Sequence, residues 1–203
     1  MKFLTFASVA MLFATVLSAA EVPLTIDKNR SHIEALGISR QGNFTAKLTV
    51  FDAVISLDPV EKRIGSAQLT FHFADIKTGD EKRDAEMCTW QQTDQFPDCV
   101  YILEALLPAV GGTFNARGKF ILHGVTRVIT IPITIGYTTP DTCQIDGDLP
   151  LDTTDFGLPP LRKYGIFRVI PRLQVKFHLE GRVSPPRPFV TRCSCSFMPG
   201  HRG

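Results

Sequence analysis

The chain has 203 residues and a nearly balanced charge, 22 Lys plus Arg against 20 Asp plus Glu. That balance supplies no electrostatic argument for a nucleic-acid partner. Fifteen Phe against three Tyr and one Trp favours a dry interior over a wet interface, because the Phe ring has no polar tip.

Residues 1–20 read as a secretory signal peptide. Lys2 supplies the positive start, and Phe3–Leu17 is apolar but too short for a comfortable membrane span. Ser18-Ala19-Ala20 then offers the small residues of a cleavage site, so the expected mature start is Glu21 and the expected location is the periplasm or the outside of the cell. No cysteine lies near that point to make a lipoprotein. The mature chain is long enough for one domain over residues 21–183.

Leu24–Ile26 is a short strand candidate, closed by the polar turn Asp27-Lys28-Asn29-Arg30. Ser31–Asn43 fits neither the helical nor the strand period and reads as loop or short strand. From Phe44 the chain is extended. Ala46, Leu48 and Val50 share one parity, and Ala53, Ile55 and Leu57 the other, which places a β-bulge near Phe51-Asp52. Ala67, Leu69, Phe71 and Phe73 form the next apolar face, with His72 on the solvent side.

Asp80–Cys88 is charge-rich and reads as one or two helical turns, with Trp90 and Phe96-Pro97 fixing this excursion against the sheet. Tyr101, Leu103, Ala105 and Leu107 share a face. Val100 and Ile102 are apolar too, which predicts a strand buried on both sides. Phe114–Ile135 is the clearest hairpin: Phe114, Ala116, Gly118, Phe120 and Leu122 alternate with polar residues, and Ile129, Ile131, Ile133 and Ile135 follow the His123-Gly124 connection. Leu149-Pro150-Leu151 reads as a short strand at most, and Asp155–Pro160 as a structured loop. The last strand carries Phe167, Val169, Leu173, Val175, Phe177 and Leu179, with Pro171 marking an edge or a bulge. From Ser184 to Gly203 a Pro- and Cys-containing tail leaves the domain.

The five cysteines are Cys88, Cys99, Cys143, Cys193 and Cys195. In an exported chain pairing is expected, with one thiol left over. Cys88 and Cys99 flank a short polar loop and are the expected bridge, although Cys143 could displace either. Cys193-x-Cys195 with His201 lacks the fourth ligand of a structural zinc site. His32, His72, His123 and His178 are scattered, and no HExxH, GxSxG or phosphate loop occurs, so no enzyme is expected.

Many strands with one apolar face, no βαβ rhythm and no long amphipathic helix predict an all-β, antiparallel barrel of about eight strands with a short helical excursion. A filled interior would suit a soluble interaction or stress-related protein. A cavity above about 300 Å³ would suit a ligand carrier. An integral outer-membrane barrel is disfavoured by the scarcity of Trp and Tyr for its aromatic girdles.

Several segments carry a resemblance. They are Asp27-Lys28-Asn29-Arg30-Ser31-His32-Ile33, Gly42-Asn43-Phe44, Thr78-Gly79 with Arg83-Asp84, Phe96-Pro97, Gly118–Arg127 ending in Gly-Val-Thr-Arg, and Asp155-Phe156-Gly157-Leu158. In order and spacing they resemble the YceI-like family, exported lipocalin-like barrels associated with polyisoprenoid binding. The likeness spans residues 24–183. Ala35 and Glu86-Met87 depart from the family pattern, which has an aromatic and His-Leu there.

The resemblance implies a long isoprenoid chain, or a quinone bearing one, as the bound molecule. An apolar tail gains about 0.8 kcal/mol for each CH₂ removed from water. No obligatory cofactor is implied. A transient contact with a membrane surface and a second copy of the chain are admissible partners. Phe71, Phe73, Phe120, Phe156, Phe167 and Phe177 are the candidate lining residues, and Arg83 and Arg127 the candidates for a polar head group. The duller alternatives are ordinary core for each Phe, a carboxylate partner for Arg83, backbone capping for Asp84, and loop support for Arg127.

Overall fold

The computed structural model describes residues 21–38, 42–58, 61–160, 162–163, 167–168 and 170–183, with backbone alone at 162–163 and 167–168. The expected signal peptide, the tail with its cysteines and the side chain of Phe167 lie outside the described residues. The strands are β1 Val22–Ile26, β2 His32–Gly37, β3 Phe44–Leu48, β4 Asp52–Asp58, β5 Arg63–His72 and β6 Ile76–Lys77, followed by the helix α1 Glu81–Gln91. After it come β7 Asp98–Pro108, β8 Phe114–Leu122, β9 Val125–Thr139, β10 Thr142–Asp152, the short pair β11 Arg162–Lys163 and β12 Phe167–Arg168, and β13 Arg172–Val183.

Eight strands close into an antiparallel barrel in the order β1-β4-β5-β7-β8-β9-β10-β13, with β13 pairing back onto β1. Closure removes the free sheet edges over the paired height of these eight strands. β2, β3 and β6 prolong the first three strands past a bend at one level. Asp27 N–H donates to Glu180 O at 2.8 Å, and Ser31 Oγ exchanges hydrogen bonds with the Glu180 backbone. Thr49 N–H and Oγ1 both donate to Asp75 O. These contacts satisfy backbone groups released where the ladders break. The Asp27…Ser31 segment is thus the hinge at which the first strand changes its place along β13.

Three features differ from the sequence reading because long-range pairing overrides local pattern. Residues His32–Gly37 are a full strand, held between β13 and β3. Leu149-Pro150-Leu151 belongs to the eleven-residue β10. Pro150 is tolerated because pairing with β9 ends at Gly147, which leaves the proline one partner strand. The parity change near Phe51 is a complete strand break between β3 and β4 rather than a bulge within one strand.

A bulge does lie in β7 between Leu103 and Ala105. It shifts the inward parity to Leu106, and Leu107 is left 49% exposed. Ile102 is 39% exposed, so the outer face of β7 is open to solvent, contrary to expectation. The reason is the position of α1: it covers one end of the barrel rather than its side. The expected Cys88–Cys99 bridge is also absent. Cys88 lies on α1 as a free thiol, and Cys99 is a free, fully buried thiol packed among Phe73, Leu122 and Phe156.

α1 starts at Asp80, whose carboxylate accepts from the amides of Lys82 and Arg83 at 3.1 Å, and stops at Gln92 in the left-handed region. It spans three turns where one or two were expected. The alternation of strand directions puts α1, the His123-Gly124 turn and the 3₁₀ turn Thr153–Phe156 at the same end of the barrel. The start of β5 and the turn before β8 lie at the other end.

Candidate functional site

Strand alternation sends one parity of every wall strand inward, and here that parity is apolar throughout. The interior is not filled. It holds a cavity of about 260 Å³, slightly below the size anticipated for a typical ligand pocket, running from Ile64 and Ala67 to Trp90 and Leu158 beneath the α1 end. Its lining is almost wholly hydrocarbon. The outer face is the reverse, with ion pairs such as Lys119–Glu104 at 2.9 Å and Lys47–Glu34 at 3.3 Å. A dry inside and a charged outside are opposite to the arrangement of an outer-membrane barrel.

Two pairs of residues explain how a Phe-rich interior stays open. Gly147 faces Phe177 across the β10–β13 ladder, and Gly37 faces Phe44 across β2–β3. A Cβ at either glycine would overlap the ring opposite. Each ring therefore lies flat over its neighbouring strand, in the space of the missing side chain, and forms wall rather than plug. Tyr101 leans in the same way over Gly118 and donates its hydroxyl to Ala116 O at 3.2 Å. Burial, with the nearby Glu104 charge, pushes the Tyr101 phenol up to about 12, so it stays neutral.

The α1 end is tied down residue by residue. Met87 and Trp90, one helical turn apart, face the cavity. Trp90 Nε1 donates to Pro159 O at 2.8 Å. Asp152 caps the 3₁₀ turn through the amide and hydroxyl of Thr154, and Thr153 N–H and Oγ1 donate to Pro171 O. Arg127 Nε donates to Asp155 O at 2.7 Å, and His123 Nδ1 lies 3.3 Å from Phe156 O. Phe96 packs edge-on to His123 and against Gly124. Gln91 is wholly buried, and neither its amide nitrogen nor its oxygen has a partner in the protein; the same holds for His123 Nε2.

Of the residues singled out in the sequence, Phe71, Phe73, Phe120 and Phe177 line the cavity. Phe156 stands behind Phe120, edge-on at 5.5 Å, as core of the closed end. Arg83 sits over the Phe44 ring at 5.2 Å and 3.6 Å from Asp80, while Asp84 accepts from the Thr78 amide and hydroxyl. Arg127 supports a loop. Sequence reasoning missed Phe44, Tyr101, Met87 and Trp90 as wall residues. The Met87–Trp90 spacing behind the Asp80 cap was the available signal for the last two. Among the described residues no cluster of His, Cys, Asp or Glu could hold a metal, and no helix is long and apolar enough to cross a membrane.

No curated protein sequence matches the chain. The structure is similar to that of Burkholderia cenocepacia BcnA, with 26% identity and a TM-score of 0.68 over 76% of this chain and 98% of that one. It shares the fold of a polyisoprenoid binding domain from Saccharophagus degradans, at 16% identity and a TM-score of 0.62, covering 80% of this chain and 99% of that one. The Campylobacter jejuni YCEI protein has the same fold at 12% identity and a TM-score of 0.60, covering 89% of this chain and 94% of that one. Residues 24–181 match the model of the YceI-like domain, and the chain belongs to that family.

Proposed function

We propose that the protein is a non-catalytic carrier that holds a long-chain isoprenoid lipid, or an isoprenoid quinone, by its hydrocarbon chain inside the barrel. The observation that carries this reading is the apolar cavity itself, kept open by aromatic rings seated over glycines. A lining with so few polar groups offers nothing to activate a nucleophile or move a proton, and it suits hydrocarbon. The fold shared with a polyisoprenoid binding domain supports the same cargo class. Export to the periplasm or beyond the cell, by removal of residues 1–20, belongs to this proposal.

The polar end of the cargo stays at the α1 end, where Arg83 stands over Phe44 at the edge of the cavity. Exposed Ile38 and Ile170, joined by a backbone hydrogen bond of 3.0 Å, give that end an apolar rim for brief contact with a membrane during loading.

Trp90 is the single tryptophan of the chain and lines the cavity, so its emission reports filling. Titration with farnesol or a short-chain isoprenoid quinone is expected to change that emission saturably, at one molecule per chain. No saturable change with either compound would contradict the carrier reading.

A further inference from the structure

The barrel wall is not paired along its whole height. β5 and β7 are in register from His72 opposite Asp98 to Gln68 opposite Ile102, and the ladder ends there. Both strands continue, β5 back to Arg63 and β7 on to Pro108. The bulge between Leu103 and Ala105 bends β7 at the point of separation. On the β5 side, the Glu21 carboxylate occupies the place where a side chain at Gly65 would begin.

Between the parted strands lies a second cleft of about 270 Å³, rimmed by Glu21, Asp58, Arg63 and Glu104, with Ala105 and Leu106 along one side. Ile64 and Leu103 line both this cleft and the central cavity. Ile64 is only 6% exposed. Two aliphatic side chains are thus all that the shared lining places between hydrocarbon interior and outer cleft. Opening elsewhere in the wall would break ladder hydrogen bonds, whereas here the β5–β7 ladder has already ended.

We propose that this seam is a lateral portal through which the far end of a long cargo chain leaves the barrel. The inference rests on the carrier reading and adds a rule of specificity to it. A cavity of about 260 Å³ is smaller than pockets that enclose a drug-sized ligand, so a long isoprenoid must continue outside it. Glu21, Asp58 and Arg63 stand on the rim, and Glu104 is already paired with Lys119 and Arg117, so the seam presents no surplus of positive charge to hold an anionic head group. The hydrocarbon terminus emerges there, and chain length is not capped by cavity volume.

The test compares farnesol with decaprenol by native mass spectrometry on the full chain and on Ala105→Phe, which fills the outer cleft from a position outside the central lining. The portal predicts that the native chain binds both, and that the variant keeps farnesol but loses decaprenol by about tenfold or more. Should the variant misfold, a geranylgeraniol analogue with a benzophenone at its hydrocarbon terminus reads the same point in the native chain. Cross-links at Glu104 or Ala105, on the outer side of β7, support the portal. Cross-links confined to α1 and the barrel interior, or an unchanged chain-length profile in the variant, overturn it and leave the carrier reading standing. If the native chain binds neither alcohol, the carrier reading fails and the portal falls with it.

Discussion

At Gly147 the absence of a side chain decides the shape of the cavity, since a methyl group there would overlap the Phe177 ring. Gly147→Ala is expected to drive that ring inward. The cost is about 1–3 kcal/mol of stability, measured by urea unfolding, together with weaker uptake of farnesol. Gln91 presents the opposite case, because its buried amide is unpartnered in the protein. Gln91→Met keeps most of the volume and removes that penalty, so stability measured by urea unfolding is expected to rise, by about 1–3 kcal/mol. A fall would show that the amide is partnered in solution. Cys99 and Cys143 are held as thiols: burial, with Asp98 beside the first, pushes Cys99 up to about 12, and burial pushes Cys143 up to about 11. Both should resist a thiol reagent at about pH 8 until the chain unfolds, and rapid labelling of the native protein would contradict their burial. At this scale the sequence was half readable. Strand parity found Phe71, Phe73, Phe120 and Phe177, but no pattern along the chain tells a ring that plugs from a ring that lies over a glycine on a neighbouring strand.

Among the elements, α1 and the Thr153–Phe156 turn close the same end of the barrel and depend on single caps. Asp80→Ala removes the acceptor for two first-turn amides and should cost about 1 kcal/mol, with loss of helical signal at the α1 end. A variant with unchanged stability would mean that α1 is held by packing alone. For Asp152, the hydroxyl and then the amide of Thr154 hold the carboxyl below its ordinary value. A depressed folded value means that the stabilisation is complete above the unfolded value and is lost only as pH falls through the lowered one. The Thr154 amide shift should therefore stay flat through mildly acidic pH and move on the acid side of the ordinary carboxylate range. Movement near neutrality would rule out this cap as the controlling group. The helical start at Asp80, the hairpin at His123-Gly124 and the loop after Asp155 were legible because their chemistry is local, although the capping carboxylate is that of Asp80 and not of Asp84. The length of β10 and the strand identity of His32–Gly37 were not, because both are fixed by partners far along the chain.

For the molecule as a whole, period-2 alternation was enough to read a barrel, since each strand must bury one face and closure is the economical way to do so. The same alternation is silent on whether the interior is full. That depends on Gly37, Gly118 and Gly147, on the breaks that bend three strands at one level, and on a helix placed over the end instead of the side. The central claim is that the open interior exists to hold hydrocarbon. Its most direct test is native mass spectrometry, with solvent extraction, on the full chain purified from its own cell envelope or medium. A stoichiometric, extractable isoprenoid adduct that is lost in Phe177→Gln is the predicted result. Protein that is consistently lipid-free, and that still takes up no farnesol or isoprenoid quinone when these are offered, would contradict it.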